Sequence, residues 1–522
     1  MPTDIDLRPV TAPELKSMLT DGGELALIDL REELIYSRNH LLWARNVPLS
    51  RFELRFPALV PRKSARVVLC DENDGLVTHA ARILRDAGYS DVAHLDGGVA
   101  AWEQAGFVLF SGMHVPSKAF GEFIEHAAGT PSIAPQELDA LLRGGADIKI
   151  LDSRPFDEYS RISIPGGIDV PGAELVLRVR DIVPSPTTTI VVNCAGRTRS
   201  IIGAQSLIDA GVPNEVMALR NGTMGWHLAG FPCASGADAR FPEVSHAGLA
   251  SARTAAEKVA ARAGVARTDR ATLARWRTDE RRTTYLFDVR DPAEYLAGHL
   301  PGAISAPGGQ LVQATDTYAG TLGGRIVLAD DKAVRALMTG SWLKRMGWRE
   351  VYVLEEAGGE TGPASPAPLG KPDSTHAVAP SADLAAMTII DLSTSAQYRR
   401  GHIPGAWFAI RSRLERAFQR IAPQTPVLLT SEDGVLASLA ITEAQALTAR
   451  PVRWLKGGNA GWRAADLPLA TGARMADDAV DLWLKPYEQP GDHEAAMNAY
   501  LSWEVDLLDR IKRDGTTNFR VR

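Results

Sequence analysis

Cys194 stands where a strand should give way to a helix, in the stretch Ile190 to Ser200 that reads I-V-V-N-C-A-G-R-T-R-S. The β-branched run Ile190, Val191 and Val192 predicts a buried strand ending at Asn193. From Ser200 through Ile201, Ile202, Ala204 and Leu207 the spacing predicts a helix closed by Gly211. A thiol in that position faces loop N–H groups and the positive end of a helix, and both favour an anion. Such surroundings favour the thiolate, which is the nucleophilic form of cysteine. Arg197 and Arg199 bring further positive charge to the loop. The chemistry to expect is nucleophilic, with Cys194 attacking a substrate and carrying a group covalently.

The spacing narrows that chemistry. Four residues separate Cys194 from Arg199, and the loop resembles the active-site loop of the rhodanese family of sulfurtransferases. In that family the short ring is sized for a persulfide sulfur, whereas Cys-dependent phosphatases place one more residue before the arginine. Upstream, Leu151-Asp152-Ser153-Arg154 with Glu158-Tyr159, and Ile164-Pro165-Gly166-Gly167, are similar to the family's strand-Asp-x-Arg element and its Pro-Gly turn. Downstream, Arg220-Asn221-Gly222-Thr223 with Gly225-Trp226 resembles its closing Gly-Gly-x-x-x-Trp segment.

The resemblance implies a two-step reaction at Cys194. The thiolate takes the outer sulfur of a donor, thiosulfate or a thiol persulfide, and then yields it to cyanide, sulfite or a thiol. A persulfide anion needs N–H donors, which the backbone from Ala195 through Gly196, Arg197, Thr198 and Arg199 to Ser200 can supply. Arg199 is expected to hold the loop or its charge, and Arg197 to face an incoming anion. The hydroxyls of Thr198 and Ser200 should reach the sulfur or cap the helix. Asp152 and Arg154 are expected to form a supporting ion pair, and Glu158 and Arg178 are candidates for the pocket mouth or for plain surface. The reaction calls for no cofactor and no metal.

The elements that position the loop occur four times. A strand ending in Asp recurs at Asp29, Asp152, Asp288 and Asp391, and arginine follows two residues later as Arg31, Arg154 and Arg290, with Ser393 in the fourth copy. Pro-Gly turns follow in three copies, and the first has the degenerate Asn39-His40-Leu41-Leu42-Trp43-Ala44. Aligning the loops puts Asp71, Asp330 and Ser431 where the second copy has Cys194, so a single copy carries the thiol. A carboxylate cannot carry a sulfane sulfur, and those copies are expected to be inactive. His299 and His402 recur at turns of thiol-free units and read as structural.

The fold expected is α/β: four rhodanese-like units, each a mainly parallel sheet flanked by helices, followed by a C-terminal helical tail. The boundaries fall at 1–110, 128–235 (the catalytic unit), 264–357, 376–472 and the tail 473–522. Lys118 to Ala127 reads as one short helix in a loop, Ser245 to Ala263 as an exposed helical connector, and Gly358 to Pro380 as a flexible linker. The tail helix, His493 to Arg510, should pack onto another unit through Tyr500, Trp503, Leu507 and Ile511.

Composition limits the alternatives. The 522 residues are 45% hydrophobic and 23% charged, with a net charge of −6, which gives no ground for nucleic-acid binding. Residues 1–10 show no leader peptide and no stretch is long enough to span a membrane, so no membrane partner is expected. Three cysteines make no disulfide framework and fit a reducing cytoplasm. Cys70 reads as core; Cys233 reads as a packing or surface thiol, with a sulfur relay as its alternative. A homodimer is possible. Two other functions compete with sulfur transfer: a thiol phosphatase or arsenate reductase, and a non-catalytic scaffold or redox sensor built of these modules.

Overall fold

The computed structural model describes residues 7–521, apart from the side chains of 382 and 385. The leader reading at residues 1–10 therefore lies partly outside the described residues. Four five-stranded sheets follow one another along the chain, and within each the strands take the order 1-5-4-2-3, all parallel. One compact unit holds the first and fourth sheets. The other holds the second and third sheets with the C-terminal helix.

In the second sheet the strands are β1 (Ser132–Ile133), β2 (Ile148–Asp152), β3 (Ile168–Asp169), β4 (Thr189–Asn193) and β5 (Val216–Leu219). Alternation along β4 sends Val191 to one face with Ile150, Leu219 and Trp226, and Ile190 and Val192 to the other with Leu175 and Leu207. Each such aliphatic side chain, fully buried, contributes roughly 1.5–3 kcal/mol. Covering both faces with helices explains why β4 is apolar without a break.

The pairing fixes the loops of all four units in one register. Asp29, Asp152, Asp288 and Asp391 lie opposite Cys70, Asn193, Ala329 and Thr430. The next residue in each copy is thus Asp71, Cys194, Asp330 or Ser431, and Cys70 is a fully buried strand residue.

Five helices matter for the second unit: α1 (Val115–Ala128), α2 (Thr198–Asp209), α3 (Gly222–Leu228), α4 (His246–Ala263) and α5 (His493–Asp514). Helix α1 is longer than the sequence predicts and lies against α2 and α5. Helix α4 is no exposed connector: Ala252, Ala256, Val259 and Ala260 are buried, because small side chains let it seat closely on its neighbours. The tail helix α5 does pack back, onto α1, and runs to Asp514. Within the linker, Leu369 is buried in the first unit's core and its N–H donates to the Glu53 carbonyl at 2.9 Å. Among the described residues no helix is long and apolar enough to cross a membrane, and no cluster of side chains could hold a metal ion.

Candidate active site at Cys194

Strand β4 delivers Cys194 to the carboxyl end of the sheet, where ligands of open parallel sheets bind. The end of that strand is braced from both sides. Arg154 grips Asp152 with two parallel bonds, Nε to Oδ1 at 2.8 Å and Nη2 to Oδ2 at 2.7 Å, and both residues are buried. Nη2 of Arg154 also donates to the Ile162 carbonyl at 2.6 Å. Asn193 Nδ2 donates to Asp152 Oδ2 at 2.8 Å and to Thr223 Oγ1 at 3.0 Å. The Cys194 carbonyl takes the Thr223 N–H at 2.8 Å, and the Ala195 carbonyl takes that of Met224 at 3.0 Å. Asp152 and Arg154 are thus a structural pair that anchors the strand.

Close approach of α3 to the loop explains a glycine. Gly222 has φ +56°, and a Cβ there would lie 2.3 Å from the Cys194 carbonyl oxygen and 2.7 Å from that of Gly196. Gly98 and Gly458 stand in the same relation to Asp71 and Ser431 in their own units.

Cys194 as a residue is 2% exposed. Its Sγ lies 3.5 Å from Ser200 Oγ, whose own hydroxyl donates to the Arg197 carbonyl at 2.8 Å. Helix α2 begins at Thr198, two residues before the predicted start. The N–H groups of Gly196, Arg199 and Ser200 meet no acceptor in the protein among the described residues. The thiol-free units show where such amides point. In the third unit Asp330 Oδ1 accepts from the Lys332 N–H at 3.1 Å, and Oδ2 accepts from those of Arg335 at 2.9 Å and Ala336 at 3.2 Å. In the first, Asp71 accepts from Asn73 at 2.8 Å and Val77 at 3.2 Å, and in the fourth Ser431 Oγ accepts from Ala437 at 3.3 Å. These donors sit two, five and six residues after the loop's first residue, and the matching positions of the second unit are Gly196, Arg199 and Ser200.

Of the two arginines, Arg197 does not take the part expected of it. Arg197 is turned into α1: Nε and Nη2 lie 2.7 Å from the two oxygens of Glu122, Nη2 also pairs with Glu125, and Nη1 donates to Asn221 Oδ1 at 3.2 Å. Held by two carboxylates, it does not present a bare cation to an anion. Arg199 pairs with Glu158 at 2.9 and 3.2 Å. Burial works against the Arg199 cation, but Glu158 and, more weakly, the Cys194 sulfur keep it protonated. Burial would likewise raise Glu158, yet Arg199, Lys485 and Arg154 hold it well below the usual carboxylate range. Arg178 is buried with Glu174 at 2.9 Å and lines no mouth. Thr198 Oγ1 is buried without a partner.

Three residues beside the loop carry no sequence signal on their own. Lys118 and Glu122 lie one turn apart on α1, and Glu504 reaches in from α5; Lys118 Nζ is 2.9 Å from Glu504 Oε1. Of the remaining cysteines, Cys70 has its thiol pushed up well above the ordinary value, chiefly by burial. Cys233 is half-buried against the core around Trp226, and burial raises its thiol too. His299 and His402 stack on Tyr295 and Tyr398 at 4.0 and 3.9 Å and bond their carbonyls through Nδ1, a structural arrangement.

The model of the rhodanese-like domain family matches residues 11–105, 134–229, 270–357 and 377–465. Over 99% of its length the chain is similar to the crystal structure of a thiosulfate sulfurtransferase from Pseudomonas aeruginosa, at 47% identity and a TM-score of 0.96, covering 100% of that chain. An uncharacterized Synechocystis protein is 31% identical over 106 residues, 20% of this chain and 58% of that one. The probable adenylyltransferase/sulfurtransferase MoeZ of Mycobacterium tuberculosis is 32% identical over 94 residues, 18% of this chain and 24% of MoeZ. The chain thus spans less than two thirds of either relative's length.

Proposed function

Because this chain belongs to the rhodanese-like domain family, with four copies of its fold and a loop thiol in only one, we propose that it is a sulfurtransferase working through Cys194. The thiolate attacks the outer sulfur of thiosulfate or of a thiol persulfide. A bond forms between Sγ and that sulfur, the S–S bond of the donor breaks, and its electron pair leaves with sulfite or the donor thiolate. The Cys194 persulfide then gives its outer sulfur to cyanide, sulfite or a thiolate, and the Cys194 thiolate returns.

The observation that carries this reading is the cradle of amides. In two thiol-free units an aspartate carboxylate of the chain itself fills the cradle, with up to three N–H groups on its oxygens. In the second unit Cys194 stands in the aspartate's place, and the matching amides of Gly196, Arg199 and Ser200 meet no anion of the protein among the described residues. A persulfide sulfur extends one bond beyond Sγ and carries the negative charge those donors are built to take. Ala195 and Gly196 keep the rim of the cradle small. The similarity to the Pseudomonas aeruginosa enzyme supports thiosulfate as the donor.

Incubation with thiosulfate, desalting and intact-protein mass spectrometry test the reading. One added sulfur, mapped to the Cys194 peptide and removed by cyanide, is the expected result. No gain, or a gain confined to Cys70 or Cys233, would overturn it. An aryl phosphate assayed in parallel tests the phosphatase alternative.

A further inference from the structure

We infer that the segment from Lys485 to Glu504 is the outer wall of the Cys194 pocket and restricts it to small inorganic sulfane donors; this rests on Cys194 being the sulfur carrier. The segment reaches both sides of the loop. On one side, a Cβ placed on Gly196 would meet Glu504 Oε2 at 3.2 Å and Tyr500 Cε1 at 3.6 Å, so α5 lies directly against the loop. Glu504 is held in that place: its side chain is fully buried, and Oε1 takes Lys118 Nζ at 2.9 Å and the Tyr500 hydroxyl at 3.0 Å. Oε2 is buried with no hydrogen-bond partner.

On the other side, Lys485 Nζ lies 3.3 Å from Glu158 Oε1, behind the Glu158–Arg199 pair. Tyr487 packs with Met224, Met497 and Leu501 and is close enough to Glu158 and Arg199 for their charges to act on its hydroxyl. Arg161 and Glu488 close the same edge at 2.6 Å. The chain lies on both flanks, and Cys194 is only 2% exposed.

The charges on the two flanks differ, and that decides the donor class. Arg199 and Lys485 outnumber Glu158, so the flank at Tyr487 favours a compact dianion and the sulfite it releases. On the Gly196 flank Lys118 is taken by Glu504 and Arg197 by Glu122 and Glu125, so neither cation is left for the carboxylates of a larger donor. A peptide persulfide such as that of glutathione is too bulky for a thiol walled on both flanks, and among the described residues its carboxylates meet no unpaired cation on the Gly196 flank.

The test compares kcat/KM for thiosulfate and for glutathione persulfide in the wild type, Tyr487→Ala and Lys485→Ala. The wild type should prefer thiosulfate. Tyr487→Ala should move the ratio towards glutathione persulfide by about tenfold, and Lys485→Ala should lower kcat/KM for thiosulfate by about tenfold while Cys194 still loads sulfur. A ratio unchanged within about twofold in Tyr487→Ala, with thiosulfate turnover retained, overturns the inference. Alkylation supplies a second readout that needs no turnover. Iodoacetamide should label Cys194 in both proteins, whereas a maleimide on a polyethylene glycol chain should label it about tenfold faster in Tyr487→Ala than in the wild type. Equal rates with the bulky reagent overturn the wall. Failure of the wild type to gain sulfur from thiosulfate would instead sink the sulfurtransferase reading, and the alkylation rates would still decide whether the wall exists.

Discussion

Asp330 and Arg335 close on each other inside the third unit's loop: Nε and Nη2 of Arg335 lie 3.1 and 2.9 Å from Asp330 Oδ1, and the Arg335 amide donates to Oδ2 at 2.9 Å. Their spacing along the chain is that of Cys194 and Arg199. The third unit thus has its anion built in and its arginine turned onto it. In the second unit the arginine pairs with Glu158, as Arg335 does with Glu294, but the loop's first residue is a sulfur that can carry charge only when ionised or loaded. The residue at the first loop position separates an internally neutralised loop from one whose amides meet no anion of the protein among the described residues.

That closure makes Asp330 a stability residue. Arg335 is fully buried and also pairs with Glu174, Glu294 and Asp331. Asp330→Ala removes a buried partner and strands three amides, and should cost about 3–5 kcal/mol. Asp330→Asn keeps an acceptor and should cost less. Urea unfolding followed by tryptophan fluorescence measures both, and equal stability of Asp330→Ala and wild type would refute the assignment.

Cys194→Ser should abolish sulfur loading and lower transfer by at least about 10³-fold, because an alcohol is a far weaker nucleophile than a thiolate and cannot hold a sulfane sulfur. The fold should persist, since the serine oxygen occupies less space and keeps a hydroxyl near Ser200. Circular dichroism and a melting curve close to wild type, together with lost turnover, are the joint expectation. Turnover that survives the substitution would move the chemistry elsewhere.

Gly222 offers a sharper test of the loop's geometry. Gly222→Ala combines a positive φ with a Cβ 2.3 Å from the Cys194 carbonyl oxygen, a contact that only a shift of the loop relieves. The substitution should cost about 1–3 kcal/mol and slow sulfur loading at Cys194. Gly166→Ala is the control: its φ is +78°, but nothing lies within 4 Å of the added carbon, so only backbone strain is expected. Loading rates that fall equally in the two variants would contradict the close-approach argument.

What the sequence revealed follows from how local each interaction is. The Asp152–Arg154 grip spans two residues, and the amide cradle spans six, so spacing alone carries both. The four-fold repetition was legible because each strand ends in the same Asp. The partners of Arg197 were not, since Glu122 lies 75 residues upstream in a segment that reads as a loop with a short helix. The usable signal there was Lys118, Glu122 and Glu125 recurring at helical spacing beside apolar neighbours, a charged stripe where core residues were due. Glu504 comes from the far end of the chain, and its aromatic neighbours pointed only to packing. Helix α4 reads from sequence as exposed because alanine scores weakly as a core residue, yet its small size is what lets the helix seat.

Asp169 supplies a pH test. Burial pushes its carboxyl up to about 7 from an ordinary 3.8; Arg240 pulls against that, while Asp152 and Asp291 add to the rise. Its geometry agrees, for Oδ2 lies 3.2 Å from Arg240 Nε but Oδ1 is buried without a partner. Between about pH 4 and 7 the folded chain keeps a proton that the unfolded chain has already released, so stability falls as pH rises through that window and levels off above it. Asp169→Asn mimics the protonated side chain at every pH. Relative to wild type the variant should therefore be more stable at pH 8 than at pH 5, read as a difference in melting temperature that grows with pH. Parallel melting curves for the two proteins across that range would show that Asp169 is ionised in the folded state and that its pairing with Arg240 outweighs burial.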